Sequence, residues 1–171
     1  PAEWAAKYPV EDMPLLDPGD ISGYPEHIQS RIKNYSGLDP LLRRANLSGY
    51  YACLDFVDHC IGRLLDDFED AGLLDNTIVV YTSDHGDMTH QHGMQGKFCL
   101  FDPSIKVPLI VSYPKALPQD KVCTALVEQL GLYPTLADLT TTGPVGAPAR
   151  QPLSGAPAAI QDVRFTDLVH A

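Results

Sequence analysis

The longest hydrophobic pattern in the chain lies between positions 47 and 68. Asp39 and Pro40 suit the N-cap and the first helical position, and Gly72 suits the residue that follows a helix. Between them, apolar side chains recur at steps of three and four residues, which predicts one apolar face of a long amphipathic helix. These side chains are Leu47, Tyr50, Tyr51, Leu54, Val57, Ile61, Leu64, Leu65 and Phe68.

Two continuous apolar runs follow this helix. The segments "NTIVVYTS" (76–83) and "VPLIVSYP" (107–114) lack polar alternation, as is typical of strands buried on both faces. We predict that they are neighbouring strands of one sheet, parallel or nearly so, with the helix packed on one face. A further helix is predicted near Pro134 in "LYPTLADL". This order of elements predicts an α/β fold, with a mostly parallel sheet flanked by helices.

The two ends of the chain lack this periodicity. Residues 1–37 are rich in Pro, Gly and Asp, and we expect an extended lead-in segment of the same domain, with a short helix near His27 to Asn34. Residues 38–142 are predicted to be the α/β core portion. Residues 143–171 begin with a Pro/Ala-rich stretch, which predicts an irregular tail, either a linker or a disordered end.

Composition and charge restrict the partners. The chain has 171 residues, 44% of them hydrophobic, which is enough for one core. Its net charge of −10 argues against binding to nucleic acid or to an anionic membrane surface. No apolar run approaches the roughly 20 residues that a membrane span needs. The four cysteines form no CxxC pair, and we expect them to be buried small hydrophobic residues.

The end of the first predicted strand concentrates ionisable side chains. The stretch "VVYTSDHGDMTHQHGMQGKF" (79–98) contains two Asp, three His and one Lys. Sites in open α/β sheets form beyond the carboxyl ends of strands, where Asp84 and His85 lie. A carboxylate and a neutral imidazole together suit a divalent cation. Gly86 would give the backbone the freedom to turn, so that both side chains can serve one site.

A simpler interpretation of the same loop needs no site. Asp84 could cap the following turn while His85 binds a backbone carbonyl. His90 and His92 could be further ligands or solvated side chains, and Lys97 taken alone is typical of a surface lysine. Residue types and spacing therefore indicate a candidate metal or anion site and leave these alternatives open.

Several motifs, in a fixed order, resemble the sulfatase family of the alkaline-phosphatase-like superfamily. They are "IGRLLDDFEDAGLLDNT", "TSDHG", "HQHG" with a lysine after it, "SIKVPLIV" and "LYPTLADL", which fall between Asn46 and Leu139 at the spacing of that family. The resemblance implies a partial alkaline-phosphatase-like α/β domain. It also implies hydrolysis of a sulfuric ester, with a small molecule or a saccharide as the sulfated partner.

Carried over to this chain, the resemblance implies roles for four residues. Asp84 and His85 would be two ligands of a divalent cation, which is usually calcium in that family. Lys97 would bind the sulfate and act in catalysis, because it offsets negative charge as the ester bond breaks. His92 would help to bind the substrate rather than take part in the chemistry.

The chain also departs from the family pattern. The family usually has Gly where this chain has His90, and the larger side chain could reshape the loop or add a ligand. The nucleophile motif, Cys or Ser followed by x-Pro-x-Arg, is absent, as is the Asp pair that completes the metal site. We therefore expect a C-terminal part of a catalytic domain that is inactive alone, with a formylglycine nucleophile in a missing N-terminal part.

Three alternative functions stay open. The same superfamily scaffold serves phosphate and phosphonate monoester hydrolases. A non-catalytic binding protein could keep the fold and lose the chemistry. A zinc hydrolase that uses His85, His90 and His92 is disfavoured, because the matching motifs extend far beyond this loop.

Overall fold

The computed structural model describes residues 1–140; the predicted tail (143–171) lies outside them. The described residues form two compact units, the first with residues 1–65 and 82–108 and the second with residues 66–81 and 109–140. The helices and strands are α1 (Ala2–Ala5), α2 (Glu26–Ser36), α3 (Pro40–Asp70), β1 (Val79–Thr82), α4 (Asp102–Ile105), β2 (Leu109–Ser112) and α5 (Leu132–Leu139).

The long helix predicted from the hydrophobic pattern is present as α3. At its start, Asp39 Oδ1 accepts a hydrogen bond from the N–H of Leu41 at 2.7 Å. At its end, Gly72 has a φ of 68° and its N–H donates to the carbonyl of Glu69 at 2.8 Å. Both contacts satisfy backbone groups that have no partner within the helix itself. The predicted start and stop signals are therefore confirmed.

Helix α3 leaves much of its apolar face exposed among the described residues. Leu47 and Ala52 are buried, whereas Leu54, Val57 and Leu64 are exposed. No helix of residues 1–140 is both long and apolar enough to cross a membrane. The packing of α3 on the sheet stays a prediction.

The two predicted strands are confirmed as hydrogen-bonded neighbours, β1 and β2, in a two-stranded sheet. Each strand has four residues, which is shorter than the apolar run that predicted it. The expected burial on both faces is wrong, because only Val111 is buried and the other strand residues are half-buried. Within the described residues each strand has one neighbour, and a strand with an open edge is less completely covered.

The four cysteines do not follow the prediction. All are free thiols; Cys53 and Cys60 are exposed, and Cys99 and Cys123 are half-buried. The prediction of buried small hydrophobic residues is therefore wrong. Cys53 and Cys60 both lie on α3, whose surface is largely exposed in the described part of the chain.

The core of the first unit joins α2 to the loop that follows β1. Helix α2, which confirms the short helix predicted near His27, contributes Ile28 and Ile32, and the loop contributes Met88 and Met94. Full burial of an Ile or Met side chain stabilises a fold by roughly 1.5–3 kcal/mol. This cluster therefore fixes the ionisable loop against α2.

Substitution Asp39→Ala tests the cap of α3. We expect the free energy of unfolding of the chain to fall by about 1 kcal/mol, because the N–H of Leu41 loses its acceptor. Asp39→Asn is the matched control and should retain most of that energy, since Asn caps helices as well as Asp does. Urea unfolding followed by circular dichroism measures both values, and an equal loss in the two variants would contradict the capping role.

Candidate functional site

The two candidate metal ligands lie in the turn that leaves β1. Asp84 Oδ1 accepts a hydrogen bond from the N–H of His85 at 3.0 Å, and the hydroxyl of Ser83 donates to the carbonyl of His85 at 2.7 Å. The side chain of Asp84 is 84% exposed, and its second oxygen, Oδ2, accepts no hydrogen bond from this turn. Short-range hydrogen bonds therefore hold the turn while one carboxylate oxygen stays accessible.

Glycine is required at position 86 because no side chain would fit there. The prediction that Gly86 provides freedom to turn is wrong. Its φ does not lie in the left-handed region that favours glycine. Its N–H donates to the carbonyl of Ser104 at 2.9 Å, and a Cβ built on Gly86 would lie 1.9 Å from the carbonyl oxygen of Pro103. A side chain here would collide with the backbone at Pro103. The turn can pack against that segment only because residue 86 has none.

His85 presents one ring nitrogen to the candidate site. Its Nδ1 lies 2.8 Å from the carbonyl oxygen of Gly86, and since a carbonyl can only accept, Nδ1 carries the proton. In a neutral ring the lone pair is then on Nε2, which lies 3.4 Å from Asp84 Oδ2. Histidines that bind metals commonly donate their other N–H to a carbonyl in this way.

Both contacts of the simpler interpretation are therefore present: Asp84 accepts a backbone N–H, and His85 binds a backbone carbonyl. These contacts use Oδ1 and Nδ1 only. They leave Oδ2 of Asp84 and Nε2 of His85 directed towards each other.

Lys97 reaches the same point from a later part of the loop. Its Nζ is in direct hydrogen-bond contact with Nε2 of His85, although the two residues are 12 positions apart. Nζ also lies 5.5 Å from the centre of the Phe98 ring. The structure thus brings together Asp84, His85 and Lys97.

Arg31 of α2 holds the backbone next to Lys97. Its Nη2 donates to the carbonyl of Lys97 at 2.5 Å and its Nη1 donates to the carbonyl of Phe98 at 2.8 Å. The sequence reasoning missed this residue. Arg31 is 66 positions from Lys97, and no motif surrounds it, so no signal in the sequence could have found it.

His92 has other partners. Its Nδ1 lies 3.4 Å from the hydroxyl of Tyr24, and its ring stacks on Phe101 with 4.4 Å between the ring centres. A role of His92 in substrate binding stays a prediction.

His90 occupies a backbone position that suits glycine. Its φ is 72°, in the left-handed region that glycine adopts without steric cost. The side chain is 1% exposed, and the ring meets the edge of Tyr35 with 5.2 Å between ring centres. The larger side chain is thus accommodated by burial. Burial, followed by the charge of Arg43, lowers the pKa of His90, and Asp87 raises it by less.

The three histidines of the zinc interpretation have different contact partners. Within residues 1–140, no group of three or more His, Cys, Asp or Glu side chains is placed to hold a metal ion. His90 packs on Tyr35 and His92 on Phe101.

Comparison with known proteins identifies the family. Residues 1–142 match the family described as Sulfatase. A sulfatase of Formosa agariphila is 32% identical over 82% of the chain, and an N-acetylglucosamine-6-O-sulfatase of Bacteroides thetaiotaomicron is 40% identical over 52% of it. The chain belongs to the sulfatase family.

Solved structures agree with this assignment. A protein in complex with its substrate D-glucosamine-2-N,6-O-disulfate matches 82% of the chain with a TM-score of 0.63 at 30% identity. A protein of Bacteroides fragilis matches with a TM-score of 0.60 at 29% identity. The predicted fold, a partial α/β domain of the alkaline-phosphatase-like type, is confirmed.

The chain spans less than a third of the length of each of these relatives. It covers 29% of the Formosa agariphila sulfatase, 16% of the Bacteroides thetaiotaomicron enzyme and 29% of the protein solved with the glucosamine disulfate.

The buried imidazole of His90 predicts a pH dependence of stability. Its pKa is below 6.5 in the folded chain, so the unfolded chain binds this proton at a higher pH than the folded chain does. The contribution of neutral His90 to the free energy of unfolding is complete above pH about 6.5. It is lost as the pH falls towards the pKa of His90 in the folded chain. His90→Asn tolerates the left-handed backbone and does not titrate.

Urea unfolding between pH 5 and 8 measures this effect. The free energy of unfolding should fall more steeply towards pH 5 in the unmodified chain than in His90→Asn. Parallel curves for the two proteins would contradict the burial of a neutral imidazole.

Proposed function

We propose that the chain is part of a sulfuric-ester hydrolase and carries one side of its metal and sulfate site. The observation that supports this most strongly is the convergence on His85 Nε2. Asp84 Oδ2 lies 3.4 Å from this nitrogen and Lys97 Nζ contacts it. A carboxylate, an imidazole and an ammonium group at one point are the groups needed to hold a cation beside an anionic ester.

Asp84 and His85 would hold a divalent cation, and we propose calcium from the family resemblance. The atoms that would face the cation, Oδ2 and Nε2, are those that the hydrogen bonds of the turn do not use. Calcium commonly takes about 6–8 ligands, so this pair would form only part of the coordination shell. We propose that an Asp pair in an N-terminal part of the protein supplies further ligands. The cation would supply electrostatic stabilisation of the charge on the sulfate oxygens.

Lys97 would bind the sulfate group. Nε2 of His85 has a single lone pair, which now accepts a hydrogen bond from Lys97 and would be needed for metal binding. Lys97 would therefore give up this contact when His85 binds a cation, and its three N–H donors would become available to the sulfate oxygens. There the ammonium would offset the negative charge that grows as the ester bond breaks.

The nucleophile would come from another part of the protein. None of the four cysteines is followed by x-Pro-x-Arg, and a thiol or hydroxyl needs activation to act as a nucleophile. We propose a formylglycine in the N-terminal part, so that the 171 residues alone do not turn over sulfate esters.

A saccharide sulfate is the proposed substrate. One relative is named N-acetylglucosamine-6-O-sulfatase, and one protein of similar fold was solved with a glucosamine disulfate as its substrate. Both names support a sulfated amino sugar; other relatives are named arylsulfatase K and choline-sulfatase, so an aryl sulfate and choline sulfate are the competing substrates.

Substitution Lys97→Ala in the whole protein that contains this chain tests the proposed function. We expect kcat/KM for glucosamine 6-sulfate to fall about 10²–10³-fold, as when one preorganised donor to a developing anion is removed. Lys33→Ala removes an exposed lysine of α2 and is the control, with little expected change. An aryl phosphate assayed in parallel should be the poorer substrate.

Three results would contradict the proposal. They are unchanged sulfate turnover in Lys97→Ala, faster turnover of the phosphate than of the sulfate, and sulfate turnover by the 171 residues alone. Absence of turnover by the whole protein, together with sulfate binding, would favour the non-catalytic binding protein.

A further inference from the structure

We propose that Arg31 positions Lys97 for sulfate binding; this inference rests on the proposed function. Arg31 would not touch the substrate itself. It would act through the backbone of the segment that carries the lysine.

The contact joins one guanidinium group to two consecutive carbonyls. Nη2 of Arg31 donates to the carbonyl of Lys97 at 2.5 Å, and Nη1 donates to the carbonyl of Phe98 at 2.8 Å. Consecutive carbonyls of an extended chain point to opposite sides. Phe98 has a φ of 67°, which is unusual for a bulky residue and lets both carbonyls face the same group. The left-handed backbone at Phe98 therefore allows one guanidinium group to bind both carbonyls.

The apolar side chain that follows Lys97 does not hold the segment, although Cys99 and Phe101 further along pack against the core. Phe98 is 87% exposed and Leu100 is 90% exposed. The two bonds from Arg31 hold the Lys97–Phe98 peptide and the peptide that follows it. They therefore restrict the position of the Lys97 α-carbon, from which the side chain extends.

Arg31 is itself well anchored. It lies on α2 next to Ile32, which is 1% exposed and packs with Ile28, Met88 and Met94 in the core. The same core holds the start of the loop. The bonds from Arg31 thus fix the loop residue that would bind sulfate relative to a packed helix.

Arginine is suited to this task because its planar group carries donors in a fixed fork. Loss of the fork would let Lys97 move while leaving its charge in place. Displacement of a positioning group by about 1 Å can cost roughly 10²-fold in rate, so the effect should appear in turnover.

A double-mutant cycle in the whole protein tests the inference. We expect Arg31→Gln to lower kcat/KM for the sulfate ester about 10-fold or more when Lys97 is present. In a Lys97→Ala background, the same substitution should change kcat/KM less than about 2-fold, because nothing is left to position. A purely structural role would reduce the active fraction equally in both backgrounds.

Arg44 offers a matched control. Its Nη1 donates to the carbonyl of Glu11 at 2.9 Å and also contacts the carbonyl of Met13. Arg44→Gln therefore removes the same kind of contact away from Lys97. Its effect on kcat/KM should be equal with and without Lys97.

Each outcome of the double-mutant cycle either supports or overturns the inference. Equal losses from Arg31→Gln in the two backgrounds would overturn it and leave the proposed function intact. No loss from Lys97→Ala alone would overturn the proposed function and this inference with it. If Arg31→Gln fails to fold, Arg31→Lys goes through the same cycle; it retains charge without the fork, and we expect a loss that again depends on Lys97. Full activity of Arg31→Lys would overturn the role of the fork.

Discussion

The candidate site depends on how closely the backbone at Gly86 approaches the backbone at Pro103. The N–H of Gly86 donates to Ser104, and no Cβ would fit against the carbonyl of Pro103. The carbonyl of Gly86 in turn fixes the proton on Nδ1 of His85. The position of the carbonyl that His85 Nδ1 contacts therefore follows from a steric condition at Gly86. Loss of this approach would remove the contact that joins the turn of Asp84 and His85 to the segment at Pro103.

The rest of the loop contains several residues in unfavourable backbone conformations. Three non-glycine residues between 89 and 92, and Phe98 beyond them, have a positive φ. Such conformations cost of the order of 1–3 kcal/mol each and concentrate at functional sites. Burial of Met88 and Met94 against α2 holds the middle of the loop, and the bonds from Arg31 hold the far end. The loop is thus maintained by long-range packing in spite of its local preferences.

The difference between local preferences and long-range packing explains what the sequence could predict. Asp39 and Gly72 marked the ends of α3 because caps act within a few residues. Burial of β1 and of the cysteines was predicted wrongly, because burial depends on what other segments cover. Asp84, His85 and Lys97 could be named together only because their motifs resemble those of a known family. Arg31 and Pro103 act through contacts between distant segments, and no local pattern marks them. The assignments of metal ligands and of the sulfate-binding lysine stay predictions.

The most direct measurement of the central claim is a crystal structure of the whole protein with calcium and a sulfated amino sugar. We expect calcium bound to Asp84 and His85, with Asp84 Oδ2 about 2.3–2.6 Å from the ion. We also expect Nζ of Lys97 to have left His85 and to donate to a sulfate oxygen. A cation bound elsewhere, with Asp84 facing solvent and Lys97 still on His85, would contradict it.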